Sequence, residues 1–447
     1  MLSHFLLISL LVVPLPLLAQ VEATQGETTA AQPAVEDTQM QTPPPVNAAP
    51  YATTPLSEDR SNYLSGGLTF STAYSDNVLG SITSHPVSDI SYSVWPFIAL
   101  DETTARMHWL LNYSPGFTFY QRTSAFNQAD QNVNIAFRYR LSPHVTLDLQ
   151  DRFQKTSNVL NNPNLDAGTP ISGTPQAPVV NVISPLADQL NNVGTAQLTY
   201  QFGAMSMVGG GGTFTNLHYD NPTQVPGLGD SNSQSGSAFY THRFSKKHYI
   251  GASYQYARFL TYPVSGVVQT QTHGITAFYT LFVSSKLSLS FSGGPQHTDE
   301  SQGALPLVNS WSPVATASVG WQGHHTALAG SYVRVVSAGG GLLGAFHSNT
   351  ANASVTQQLT KYWNAAVSAS YSTTKTLTPL FFGSNQDGHF ILGSASVGRS
   401  VGPHIRLSAG YTRLHQSYAG IAAVATTPDT NRESVSISYN FSRPLGR

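Results

Sequence analysis

The chain has 447 residues, 40% hydrophobic and only 10% charged, with a formal net charge of −1 and no cysteine. Ordinary soluble domains carry about 25% charged residues, and the lack of cysteine excludes a disulfide scaffold, a thiolate zinc site and a cysteine nucleophile. The charge is also uneven: residues 1–62 hold six acids and one base, residues 63–447 sixteen acids and twenty bases.

Residues 1–19 read MLSHFLLISLLVVPLPLLA, an apolar core from Phe5 to Leu18 followed by Ala19-Gln20. This is the shape of a secretory signal peptide with a small-residue cleavage point. The run is short for a membrane anchor and is interrupted by Pro14 and Pro16. Residues 20–62 are rich in Gln, Thr, Ala and Pro, show no periodicity and hold almost no large apolar side chain. Such a segment buries too little surface to offset its ordering entropy. It is expected to be a disordered periplasmic tail, a spacer or a docking arm.

From Tyr63 onward apolar residues alternate with small polar ones, the period of a strand with two unlike faces. Ala196, Leu198, Tyr200 and Phe202 share one face, with Thr195, Gln197, Thr199 and Gln201 on the other. Val133, Ile135, Phe137 and Tyr139 oppose Asn132, Asn134, Arg138 and Arg140; Val435, Ile437, Tyr439 and Phe441 oppose Ser434, Ser436, Ser438 and Asn440. About eighteen such segments follow one another, roughly sixteen to twenty allowing for uncertain boundaries. They are placed at 66–75, 88–100, 104–121, 128–141, 144–155, 192–203, 206–219, 234–244, 248–260, 268–282, 286–297, 311–322, 325–336, 347–359, 363–375, 388–400, 404–416 and 431–442.

The connections alternate in length. Tight turns are expected at Asp101-Glu102-Thr103, Ser142-Pro143, Ala204-Met205, Ser245-Lys246-Lys247, Ser284-Ser285, Gly323-His324, Thr360-Lys361-Tyr362 and Val401-Gly402-Pro403. Longer connections fall at 156–191, 220–233, 298–310, 337–346, 376–387 and 417–430. Short turns at one end and long loops at the other are the asymmetry of outer-membrane barrels, with the short turns periplasmic. The fold class expected is therefore all-β: a transmembrane, antiparallel, up-and-down β-barrel over residues 63–447. After the signal peptide no apolar run reaches the roughly 18 residues of a membrane helix, and in hydrocarbon a sheet must close so that no backbone edge goes unpaired. Trp95, Trp109, Phe117, Phe119, Tyr120, Trp321, Tyr362 and Trp363 are expected in interfacial aromatic girdles.

The signal peptide, the first strand Gly66-Gly67-Leu68-Thr69-Phe70 ending in Tyr74-Ser75-Asp76-Asn77, and the closing strand Val435–Phe441 together resemble the divergent group of Gram-negative outer-membrane β-barrel and porin-like proteins, some encoded beside exopolysaccharide genes. The resemblance implies an outer-membrane location, lipid as surroundings, and insertion by the barrel-assembly machinery through a C-terminal signal, here Val435, Ile437, Tyr439 and Phe441. Members of the group usually end on the aromatic of that signal, whereas Ser442 to Arg447 follow Phe441.

An eighteen-strand barrel is wide enough for water unless loops fill it. By alternation Arg138, Arg140, Arg152, Arg243 and Arg406 face inward with Asp148, a set that favours anions or braces the wall. The long segment 156–191 either folds into the lumen or lies outside. Its Asn158, Asn161, Asn162, Asn164 and Asp166 are ordinary loop residues. Ser206, His108, His242 and His404 are counted as inward, but no nucleophile, base and orienting group stand together. No phosphate loop, metal spacing or cofactor motif occurs, and nothing calls for nucleic acid. The expected function is a passive channel for small hydrophilic solutes, anionic or carbohydrate. The alternatives are an accessory barrel of polysaccharide export or surface attachment and, more remotely, a hydrolase. The oligomeric state stays open.

Overall fold

The computed structural model describes residues 62–79, 85–156, 158–161, 188–221, 228–262, 266–302, 305–338, 341, 342, 344–377, 386–419, 421 and 429–445. The signal peptide, nearly all of the tail and most of the 156–191 segment lie outside these residues.

The described residues form eighteen strands: β1 (Tyr63–Ser75), β2 (Asp89–Thr103), β3 (Met107–Tyr120), β4 (Gln128–Ser142), β5 (Val145–Thr156), β6 (Gln189–Gln201), β7 (Ser206–Tyr219), β8 (Ser231–Arg243), β9 (His248–Thr261), β10 (Val268–Ser284), β11 (Leu287–Gln302), β12 (Leu305–Gln322), β13 (Thr326–Ala338), β14 (Ala345–Gln358), β15 (Trp363–Thr376), β16 (Gly388–Val401), β17 (Ile405–Tyr418) and β18 (Asp429–Pro444). Each pairs antiparallel with its neighbours in chain order, and β18 pairs back onto β1, so the sheet is a closed ring.

Every strand expected from alternation is present. Two features of the connections differ. Asp101-Glu102-Thr103 belongs to β2, and the turn is made by residues 104–106, where Thr104 Oγ1 accepts from the Met107 amide at 3.1 Å. The connection expected at 298–310 is mostly strand, because β11 runs to Gln302 and β12 starts at Leu305.

The two faces of the wall differ as the alternation requires. On β18 the outward Val435, Ile437, Tyr439 and Phe441 are exposed, while Thr430, Ser434 and Ser436 on the opposite parity are buried. The outward face stays apolar for about ten residues from the short-turn end. At about 3.3 Å per residue and a tilt near 40° that makes a belt about 25 Å tall. Trp109, Trp321, Tyr362, Trp363, Phe117 and Phe119 are exposed outside. Trp95 and Tyr120 are not in the girdle. They share the parity of Ser93 and Thr118, point inward, and are buried.

Toward the long-loop end, from about the level of Asp151 on β5, polar outward positions appear and bond to one another. Asn192 donates to Asp151 at 3.1 Å, His297 contacts Asn309 at 3.0 Å, and Asn309 donates to Asp299 at 2.6 Å.

Inside, hydroxyls pair across neighbouring strands. Thr69–Ser438 (2.9 Å), Ser93–Thr118 (2.9 Å), Ser253–Thr276 (2.7 Å), Thr280–Ser290 (3.0 Å), Thr350–Ser372 (3.0 Å), Ser368–Ser394 (2.7 Å) and Ser408–Ser436 (2.6 Å) are directly opposed pairs, as is Ser292–Thr316.

The Tyr74-Ser75-Asp76-Asn77 tetrad locks the closing seam at the long-loop end. Asp76 accepts from the Asn431 backbone amide (2.7 Å) and side-chain amide (2.6 Å), and Asn77 donates to the Asp429 carbonyl at 2.9 Å. The ladder is interrupted where prolines remove a donor. Residues 95–97 of β2 and 114–116 of β3, around Pro96 and Pro115, are unpaired with each other, and so are Ile275 and Thr276 with Gly294 and Pro295.

Candidate functional site

The lumen has two unlike halves. Its short-turn half is polar. Arg138 of β4 stands opposite Asp148 of β5 and its Nε donates to that carboxylate at 2.5 Å, although the arginine remains largely exposed. Arg140 and Arg152 share the inward parity of Arg138 and Asp148 and are also exposed. Arg243 sits at the rim, donating from Nη2 to the Ala204 carbonyl at 2.9 Å. Arg406 is the second residue of β17, and Asn364 of β15 can accept from it at 2.7 Å while donating to the Gly398 carbonyl at 3.0 Å.

A cavity of about 280 Å³ lies against the wall of β1–β3 and β16–β18. Thr69, Trp95, Phe97, Asn112, Arg406, Ser408, Ser436 and Ser438 line it. Trp95 fits there because Gly116, its neighbour on β3, has no side chain in the space its ring occupies. Its Nε1–H is buried without a partner among the described residues.

Alternation found these arginines because it fixes direction as well as face. One acid lies outside that set: Asp101, expected in a turn, is inward on β2 and next to His108 at 3.1 Å. Three charged groups nearer the long-loop end also lie outside it: Asp130, Glu300 and Arg432, all inward and nearly fully buried.

The long-loop half is filled, and beside its buried polar groups an apolar cluster crosses it. One buried cluster joins Leu217 and Tyr219 of β7, Phe346 of β14, Phe390 and Leu392 of β16, and Leu414 and Tyr418 of β17 with Leu160, Leu228, Leu342 and Ile421 from the connections. β7 and β16 stand nine strands apart in a ring of eighteen, so the cluster reaches from one wall to the opposite one. Part of the 156–191 segment enters here. The short 3-10 turn Val159–Asn161 brings Asn158 and Asn161 to the inward Tyr120 hydroxyl, at 3.4 and 2.8 Å.

The centre of the cluster is the tip of the β13–β14 hairpin. The Val336 amide donates to Oε1 of Gln296 on β11, two strands away, at 3.0 Å. The Gly344 amide donates to Thr261 Oγ1 of β9 at 3.3 Å, and Gly229 donates to the Gly341 carbonyl at 2.8 Å. Bonds to β11 and β9 place the tip inside the barrel, behind β12. Gly341 and Gly344 adopt φ of 100° and 96°, backbone that glycine holds at little cost, and Gly341 leaves room for the Tyr219 ring.

Ser206 and His242, counted as inward from the sequence, lie on the outward face at the short-turn rim. Ser206 Oγ and His242 Nδ1 are 3.0 Å apart, and the His242 ring meets Phe244 edge-on at 5.0 Å. Among the described residues no acid or amide orients that imidazole, so the activated nucleophile's third member is missing. His404 lies in a turn, with Nδ1 2.9 Å from the Asn440 carbonyl.

No protein-family model and no curated protein matches the chain. Solved structures similar to it include Pseudomonas aeruginosa OccK2 (OpdF), at 9% identity with a TM-score of 0.42 over 85% of this chain and 98% of that one. OccK2 has also been solved in complex with glucuronate, with the same identity, coverage and score. P. aeruginosa OpdK with vanillate gives 10% identity and a TM-score of 0.42 over 85% and 99%, and P. aeruginosa OpdQ 11% and 0.41 over 86% and 100%. Likeness at this level supplies no residue correspondence.

Proposed function

We propose that the chain is a passive channel of the Gram-negative outer membrane for small hydrophilic solutes, with a preference for anions, held shut at its outer mouth in the state described. The observation that carries this reading is the two-faced wall: a ring-shaped apolar belt of bilayer height outside, and hydroxyls with arginines inside. Short turns at the end that holds both strand termini support a periplasmic placement of those termini. A secretory leader and the β18 aromatics suit delivery to the barrel-assembly machinery.

Many of the inward hydroxyls pair with one another, so the wall is polar yet largely neutral. The balance is then set by exposed charge in the inner half, where Arg138, Arg140, Arg152 and Arg406 outnumber Asp148 and Asp101. Guanidinium groups lining a pore favour anions and offer paired donors to carboxylate or phosphate. The cavity beside Trp95 and Arg406 gives such a solute an aromatic surface, hydroxyls and one cation together.

The test is single-channel recording of refolded protein in planar bilayers. Discrete openings with anion preference are expected. In the Arg152→Glu/Arg406→Glu double variant the preference should move to cations, with the permeability ratio changing several-fold. Cation preference in the unaltered protein, indifferent to these substitutions, would sink the anion assignment.

The bridged mouth also suits a second reading, an accessory of polysaccharide export or surface attachment that works through its loops and tail. A folded barrel that stays silent in bilayers under every condition, including with its plug truncated, would favour it.

A further inference from the structure

β12 and β13 share the shortest described ladder in the ring. They pair from Gln322↔Ala327 to Ala315↔Arg334, over eight residues, and stop. β12 continues up to Leu305 paired only with β11, and β13 continues to Ala338 paired only with β14. Two strand edges therefore end without each other.

Continued upward, the existing register would set Ser312 opposite Ser337, on the inward parity of the Ser318↔Ser331 pair below. Both hydroxyls are buried now with no partner among the described residues. Elsewhere in the barrel, opposed inward hydroxyls bond repeatedly, as in Ser368–Ser394 and Ser408–Ser436. The Val336 amide, deprived of β12, is satisfied by the Gln296 side chain instead. Pro313 is the residue that would face Val336, and it has no N–H to give. The β12–β13 ladder thus stops where β13, still paired with β14, parts from β12, while β14 stays paired with β15.

We propose that the β13–β14 hairpin is a gate with two seats. In one, described above, its tip lies in the lumen and Leu342 completes the apolar bridge beside Phe346, which is held in the β14–β15 ladder opposite Thr376. In the other it swings into the wall, Val335–Ser337 zip onto β12 in the register already set below, Ser312 meets Ser337, and the mouth clears. The two seats exchange one set of satisfied amides and buried side chains for another, which makes the element bistable rather than merely loose. The proposal rests on the channel reading only for its conductance arm; the zipped seat is tested by chemistry alone.

The chain has no cysteine, so introduced thiols report without background. In the folded, vesicle-embedded Ser312→Cys/Ser337→Cys variant, mild oxidant should consume both thiols. The Ser310→Cys/Ser337→Cys variant, two residues out of register, should keep them. Oxidation of the first should raise conductance about tenfold or more, and reductant should restore the starting level. Gln296→Ala, which orphans the Val336 amide only in the lumenal seat, should by itself raise the open fraction several-fold.

Persistent free thiols in a folded barrel, or equal loss from both pairs, would overturn the zipped seat. If the in-register thiols are consumed and conductance does not move, the outcome is read against a barrel with Leu342 and Phe346 cut to serine. Should that barrel conduct, the gate is refuted. Should it too stay silent, the channel reading falls and the two seats stand.

Discussion

Serine at both Leu342 and Phe346 is expected to turn a barrel that conducts in brief, rare openings into one that conducts steadily. Both side chains are fully buried at the centre of the cluster that joins β7 to β16. Cutting a large buried apolar side chain to a small one removes about 2–5 kcal/mol from the state that buries it. Placing a hydroxyl there without a partner adds to the loss. Even if relaxation recovers half, the closed state loses several kcal/mol, and about 1.4 kcal/mol shifts a two-state ratio tenfold. An increase in open-to-closed ratio of about a hundredfold or more should follow. The outward belt and the paired strands are untouched, so the heat-modifiable folded band on a gel should persist. Recordings from double-variant and unaltered protein in the same bilayers decide it; identical traces would show that the cluster does not obstruct the path.

An arginine at Ile437 should have the largest effect on assembly. Ile437 lies in the middle of the outward face of β18, opposite Phe70 of β1 and Leu407 of β17, both exposed and apolar. A cation facing lipid near the bilayer midplane costs about 2–4 kcal/mol, here on the strand that must close the ring. The folded fraction in lipid vesicles should drop sharply, and the urea midpoint of what folds should fall. Arginine at Asn440, three residues away but facing the lumen, should leave both nearly unchanged. Equal tolerance at the two positions would mean that the exposed face of β18 does not meet lipid.

The contrast between those two positions is the same property that made the barrel readable. Alternation with period 2 fixes strand, face and direction at once, so Val435, Ile437, Tyr439 and Phe441 could be sorted from Ser434, Ser436 and Ser438 without coordinates. Where the reading went astray, another cue had displaced parity. Aromatic character alone points Trp95 and Tyr120 to the girdle, although Trp95 has the parity of Ser91 and Ser93. Asp101 was placed in a turn because Asp-Glu-Thr is polar, although it continues β2.

The filled mouth was illegible for a different reason. Residues of β13 and β14 alternate as wall strands do, and which partner they choose depends on side chains from β7, β9, β11 and β17, far away in sequence. Proline left the one local trace: Pro96, Pro115, Pro295 and Pro313 each stand at or just beyond a place where neighbouring strands part. A proline inside an alternating segment was therefore a marker of ladder gaps.

The clamp at the end of β1 also bears on the order of events in time. Asp76 and Asn431 are 355 residues apart, whereas every other seam joins strands adjacent in the chain. The entropy of bringing chain ends together rises only slowly with length, yet this pair cannot meet until the last strand exists. The ring therefore cannot be sealed during synthesis of the first seventeen strands. Throughout that interval β1 presents a row of unpaired donors and acceptors, the kind of edge that recruits strands from other molecules. Its outward Leu68, Phe70 and Tyr74 would offer a wrong partner apolar grips, whereas Asp76 and Asn77 at its end are matched to Asn431 and Asp429. Those two side chains hold the one hydrogen-bonding address that β18 fits.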